Sequence, residues 1–127
     1  MANILFVDDD ELVHETLGEI LAEEFDHIVL SALDGLEALN ILYHSQDPLY
    51  RRQDLDIVIL DYNMPNLNGY QLSKEIRTNP DLERYANIPL IGVGEFPETR
   101  RRYLTEFHEK PIAYFDLQKL IEKSLSD

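Results

Sequence analysis

The feature that most limits how this chain can fold is the stretch from Asp56 to Gly69, DIVILDYNMPNLNG. Ile57, Val58, Ile59 and Leu60 form an unbroken apolar, largely β-branched run, the pattern of a strand buried on both faces. The run stops at Asp61. Asn63, Met64-Pro65, Asn66 and Asn68-Gly69 then supply turn chemistry, which leaves Asp61 at the C-terminal end of a strand, facing a loop. Open α/β sheets bind ligands at that edge. A second run, Asn3 to Val7 (NILFV), also leads into acids: Asp8, Asp9 and Asp10. Two buried strands ending in carboxylates put several negative charges at one sheet edge, which is costly unless a cation neutralises them.

Around these strands the chain alternates in type. Leu12, Val13, Thr16, Leu17, Ile20, Leu21 and Phe25 recur at helical spacing, with Glu15, Glu19, Glu23 and Glu24 on the opposite face. His27 to Leu33 reads as a strand, Asp34 as the cap of a helix whose apolar stripe is Leu36, Leu39 and Leu42, and Ser45 to Leu55 as a polar connection. In that connection the Arg51-Arg52 pair is read as solvated, with docking of an acidic partner as the sharper alternative. Leu72 and Ile76 mark a third helix ended by Asn79-Pro80, and Ile88 to Val93 a short strand. Glu98 to Phe107 reads as one short helix carrying Arg100, Arg101 and Arg102, and Asp116 as the cap of a last helix with Leu117, Leu120, Ile121 and Leu125 on one face. Strand and helix alternating in this way specify a parallel sheet with helices on both faces.

Composition bounds the function. The net charge of −14 disfavours direct binding to nucleic acid or to an anionic membrane and favours divalent cations. There is no cysteine, so disulfides and thiolate metal sites are excluded. His14, His27 and His44 lack metal-ligand spacing. The first residues, MANILFVDDD, lack the pattern of a signal peptide, and no apolar run approaches the ~18 residues of a membrane span, so a cytoplasmic location is expected. Asp8, Asp9 and Asp61 offer only hard oxygen ligands, which suits Mg²⁺ or Mn²⁺ better than zinc. Asp10 reads as a helix-start acid.

Three segments in order, ILFVDDDE, DIVILDYNMPNLNG and Glu109-Lys110-Pro111, resemble the acidic pocket, phosphoacceptor loop and Lys-Pro element of response-regulator receiver domains, over nearly the whole chain. The resemblance implies one receiver domain over residues 1–127, with a flavodoxin-like doubly wound (βα)5 fold around a five-stranded parallel sheet. It further implies that Asp61 accepts a phosphoryl group from a phosphohistidine on a histidine kinase or histidine phosphotransfer protein, without the chain being an enzyme in the ordinary sense, and that a downstream protein reads the result. Mg²⁺, or Mn²⁺ in its place, would be held by Asp9, Asp61, the backbone carbonyl of Asn63 and, largely through water, Asp8. Lys110 would neutralise charge on the other side.

Two departures from the family's pattern concern the switch. Aligning IPLIGVGE on the family's fourth strand places Gly94 where a Thr or Ser hydroxyl is usual, followed by Glu95 in place of a small residue. From Gly94 to Lys110 is 110 − 94 = 16 positions, against about twenty or slightly more in the family, so about one and a half helical turns are missing and a shortened fourth helix is expected. Phe107 falls at the family's aromatic switch position, and Asn63 and Phe96 at its rate-tuning positions. Three other readings compete with the phosphoryl acceptor. One is a pseudo-receiver that signals by contacts alone. Another is a metal-dependent phosphohydrolase, disfavoured because Asn63 stands where a second acid would. The last is a nucleotide-binding flavodoxin-like protein, disfavoured because no Gly-rich phosphate loop follows the first strand.

Overall fold

A computed structural model describes residues 1–49 and 54–126. Five strands, β1 (Asn3–Val7), β2 (Ile28–Ala32), β3 (Ile57–Leu60), β4 (Leu90–Val93) and β5 (Glu106–His108), form one sheet in the order β2-β1-β3-β4-β5. Every pairing is parallel. Because side chains alternate across a strand, the two middle strands serve two cores at once. Leu5, Val7, Val58 and Leu60 point into one core, and Ile4, Phe6, Ile57 and Ile59 into the other. The apolar run of β3 is therefore continuous for the reason expected, burial on both faces.

The first core is covered by helices α2 (Gly35–Ser45) and α3 (Gly69–Thr78), which contribute Ala38, Leu42, Leu72 and Ile76. The second is covered by α1 (residues 11–23) and α4 (Tyr114–Leu125), through Leu21, Leu117 and Ile121. Helix α1 runs in three contiguous segments, Glu11–Val13, a π-helical turn His14–Gly18, and Glu19–Glu23. The Thr16 hydroxyl donates to the carbonyls of Leu12 and Val13, at 2.8 and 3.3 Å. A hydroxyl that bonds back to the preceding turn in this way tends to bend a helix.

Several local expectations hold. Asp34 accepts a hydrogen bond from the Glu37 amide and caps α2, Asp10 accepts from the Leu12 amide and caps α1, and α3 ends at Thr78 before Asn79-Pro80. A 3₁₀ turn, Pro80–Tyr85, then leads towards β4.

Others are corrected. Leu12 and Leu36 are exposed rather than part of the core stripes. Asp116 is not a cap, since α4 starts two residues earlier at Tyr114 with Ala113 at its N-cap. Strand β2 is trimmed to Ile28–Ala32 and β4 to Leu90–Val93. The helix expected over Glu98 to Phe107 does not form. Its place holds a single 3₁₀ turn, Glu98–Arg100, and then β5, so the shortening of the fourth helix is nearly complete. The Arg51-Arg52 pair lies outside the described residues.

The sheet face left bare by that helix is filled by side chains of the connecting segment. Phe96 is 2% exposed and belongs to the first core, with Leu104 packed against it. Glycine makes the room. A Cβ at Gly92, in the middle of β4, would lie 2.5 Å from a Leu104 methyl and 2.9 Å from the Phe96 ring, and one at Gly69 would lie 2.7 Å from the same ring. The connection is also held from α3, where the Arg77 guanidinium donates to the Tyr103 carbonyl and the Thr105 hydroxyl, and to the carbonyls of Ala86 and Ile88 ahead of β4.

Candidate functional site: a carboxylate pocket at the sheet edge

Val7 of β1 and Leu60 of β3 are register partners, so the residues that follow them, Asp8 and Asp61, emerge side by side. The ladder extends one step beyond each strand: the Asp8 amide donates to the Ala32 carbonyl at 3.1 Å and the Asp61 amide to the Val7 carbonyl at 2.9 Å. Both carboxylates are buried, while Asp9 is exposed. Each of the three offers an oxygen lying within 4.8 Å of the others'.

Lys110 enters from the far side of the sheet, after β5 and before Pro111. Its Nζ donates to Asp8 Oδ2 at 2.6 Å and to Asp61 Oδ2 at 3.3 Å. The remaining carboxylate oxygens are also held. Asp61 Oδ1 accepts from the Tyr62 amide at 2.7 Å, and Asp8 Oδ1 from the Asp10 amide at 2.9 Å.

Burial raises the pKa of Asp61; the Lys110 charge opposes the rise, the Asp8 charge adds to it, and the Tyr62 amide opposes it. For Lys110, burial alone would lower the pKa, but the hydrogen bond to Asp8 and the charges of Asp61 and Asp8 outweigh it and leave the pKa raised. The pocket is thus short of positive charge, because one ammonium faces three carboxylates. Three converging hard oxygen donors with a net negative charge fit a divalent cation of the Mg²⁺ or Mn²⁺ type. Asn63 lies exposed in the loop after Asp61. Among the described residues, no histidine joins a group able to hold a metal ion.

The β4 side of the pocket is glycine. Gly94 is buried, has φ +150°, and donates its amide to the His108 carbonyl at 3.0 Å. A Cβ there would run into Asp61 Oδ1, so the carboxylate occupies the space that a side chain would need. Glu95 is exposed. Phe107 and Phe96 do not line the pocket but form a chain of rings behind it. Tyr62, next to Asp61, meets Phe96 at 5.3 Å between centroids, and Phe96 meets Phe107 edge-on at 6.1 Å. Arg101 closes the chain, its guanidinium 4.1 Å from the Phe107 centroid and its Nε donating to the Phe96 carbonyl at 3.0 Å. The roles of Tyr62 and Arg101 were not legible in the sequence. Tyr62 acts through a backbone amide, and nothing in an arginine triplet says which ring each member will cover.

A parallel five-stranded sheet with acids at its C-terminal edge and a lysine reaching in from beyond the last strand defines the class, a flavodoxin-like receiver fold. The family profile of the response regulator receiver domain matches residues 4–121, and the chain belongs to that family, the receiver domains of two-component systems. It is 28% identical over 129 residues to a putative two-component response regulator, ARR21, of Arabidopsis thaliana. It is 36% identical over 89 residues to the CAI-1 autoinducer sensor kinase/phosphatase CqsS of Vibrio cholerae serotype O1. Those matches cover 98% and 70% of this chain but only 19% and 11% of the two relatives, so the chain spans a small part of the length of each.

Among solved structures, the response regulator TrrA of Thermotoga maritima, in complex with Mg²⁺-BeF, superimposes with a TM-score of 0.79 at 26% identity, covering 98% of this chain and all of that one. The receiver domain of sensor histidine kinase PA1611 from Pseudomonas aeruginosa PAO1, which has a magnesium ion coordinated in its active-site cleft, gives a TM-score of 0.75 at 23% identity, with 99% and 98% covered. Receiver domains of this family interact with histidine kinases or phosphotransfer proteins. No helix among the described residues is long and apolar enough to cross a membrane.

Proposed function

We propose that Asp61 accepts a phosphoryl group from a phosphohistidine on a histidine kinase or histidine phosphotransfer protein, in a pocket that also binds Mg²⁺ or Mn²⁺. The observation that carries this reading is the convergence on buried Asp61 of two further carboxylates and the Lys110 ammonium, 3.3 Å away. A carboxylate oxygen of Asp61 forms the new P–O bond while the P–N bond to the donor imidazole breaks, and the imidazole keeps the bonding electron pair and takes up a proton. Such transfer asks the protein mainly for position and charge neutralisation. The Tyr62 amide orients the Asp61 carboxylate, and Lys110 stands ready to neutralise phosphoryl oxygens once the negative charge of Asp61 is shared with them. Asp8, Asp9, Asp61 and the carbonyl of Asn63 would hold the cation, which supplies the remaining positive charge. In this reading the whole chain is one receiver domain in the cytoplasm, it accepts the phosphoryl group without turning over as an enzyme, and a downstream protein responds.

The test is an intact-mass measurement after incubation with Mg²⁺ and acetyl phosphate. Wild type gains the mass of one phosphoryl group and Asp61→Asn gains none. An adduct that persisted in the variant would place the acceptor elsewhere. The second reading, a pseudo-receiver that works by contacts alone, is favoured by Gly94, which brings no hydroxyl to the pocket, and by the reduction of the helix between β4 and β5 to one 3₁₀ turn. Failure of wild type to take up phosphate from any small donor would make it the better account.

A further inference from the structure

One contact to the pocket comes from outside the charged cluster. His14 Nε2 lies 2.7 Å from the backbone carbonyl oxygen of Asp8. A carbonyl can only accept, so Nε2 carries the proton and donates it. Nδ1 is buried without a partner, and the ring is otherwise oriented by Phe6, whose centroid is 5.1 Å away. The reach follows from helix geometry. Asp10 is the N-cap of α1, so His14 is its fourth helical residue, and helical side chains lean towards the N-terminus, here back over the turn to Asp8. His14 is also the first residue of the π-helical turn, a feature often found at functional sites.

With this bond every polar atom of Asp8 has a partner. Its amide donates to Ala32, Oδ1 accepts from Asp10, Oδ2 accepts from Lys110, and its carbonyl accepts from His14. Asp9, by contrast, is exposed, and what keeps its carboxylate close to those of Asp8 and Asp61 is the backbone on either side of it. That backbone is anchored at Asp10 by the helix cap and at Asp8 by His14.

We propose that His14 is a positioning residue for the cation pocket, holding the Asp8 carbonyl so that the 8–10 turn presents the Asp8 and Asp9 carboxylates together towards Asp61. The proposal rests on the reading of these three acids as cation ligands. Groups that orient metal ligands are typically worth about 10–100-fold in metal affinity.

The experiment uses the whole chain and two variants. His14→Phe keeps a ring on Phe6 and removes the donor, while His14→Gln carries an N–H at the same distance from the backbone. Mg²⁺ affinity is read from backbone amide shifts during a Mg²⁺ titration, and hydrogen exchange at the Asp10 amide, which bonds Asp8 Oδ1, is measured in EDTA. His14→Phe should bind Mg²⁺ about tenfold more weakly and exchange the Asp10 amide about tenfold faster, with His14→Gln restoring most of both. A merely structural histidine predicts no rescue by Gln, because Gln does not replace the ring. Wild-type Mg²⁺ affinity in His14→Phe, or unchanged Asp10 exchange, overturns the proposal. If wild type itself binds no Mg²⁺, the cation reading fails, and the exchange measurement still decides whether His14 holds the turn.

Discussion

On the β1–β3 side of the sheet edge, the pocket is made of carboxylates at strand ends; the backbone amides of Asp8 and Asp61 extend the parallel ladder, and the carboxylates of these two accept from the amides of Asp10 and Tyr62. On the β4–β5 side there is no side chain at Gly94, only a single 3₁₀ turn between β4 and β5, and an aromatic and arginine cluster standing behind the pocket. The first side supplies the three carboxylates, and the Lys110 ammonium reaches two of them from beyond β5. On the second, Gly94 brings no side-chain hydroxyl to the pocket. In the proposed reading, acceptance of a phosphoryl group and a conformational response to it are separable, because Asp61 and the Phe107 cluster belong to different parts of the edge.

The sharpest way to break that contrast is at Phe96, which takes the place of the missing helix over β4. Phe96→Ala should lower stability by about 3–5 kcal/mol in urea unfolding, as for other large buried side chains. A loss under about 1 kcal/mol would mean that the connection is loosely packed and that the two sides are not built to comparable rigidity.

Gly94→Thr is the direct attempt to restore the hydroxyl. Because φ is +150° and a Cβ meets Asp61 Oδ1, the variant should be destabilised on the order of 1–3 kcal/mol and should not recover a switch. A variant as stable as wild type would show that the glycine is dispensable and that the two sides differ only in chemistry.

A third measurement sharpens the charged side. The folded-state pKa of Asp61 is raised, chiefly by burial, so its ionised form costs stability. That cost is absent below the unfolded carboxyl pKa and appears as pH rises through the folded value. In EDTA, Asp61→Asn should thus gain stability relative to wild type as pH is raised from about 4 to 7. Lys110 does not blur the comparison. Its raised pKa gives a contribution that is fully present below its ordinary value and is lost only at more alkaline pH. A difference that shrank towards neutral pH would place Asp61 in a net favourable field, with Lys110 dominating.

The smallest expected effect is at Phe107. Its ring is held between Phe96 and Arg101, and no hydroxyl connects it to Asp61, so beryllofluoride with Mg²⁺ should shift amide resonances of the 8–10 and 61–63 segments much more than those near Phe107. Large shifts across residues 96 to 107 would show that the ring chain from Tyr62 transmits the signal unaided.

Much of the charged side was legible in the sequence. β1 and β3 begin and end where their apolar runs do, and Asp10 and Asp34 cap the helices they precede. These are local rules, in which a residue's neighbours within a few positions decide the outcome. Lys110 was placed only through resemblance to a family, since no local rule ties it to Asp8, 102 positions away. Asp116 misled because a good capping residue stood two positions inside a helix that starts at Tyr114 without a side-chain cap.

By itself, then, the amino-acid order determined the alternating architecture, the strands whose ends carry acids, and the absence of any serine or threonine between Asn79 and Glu98. Only the tertiary structure decided what covers β4. The arginine-rich segment has helical composition, but Gly69 and Gly92, 23 positions apart and separated by a helix and a 3₁₀ turn, together leave a slot on the sheet that Phe96 and Leu104 fill. Filling that slot buries large apolar side chains, a gain that exceeds the small differences in intrinsic helix preference, and it depends on residues that meet only once the sheet has formed.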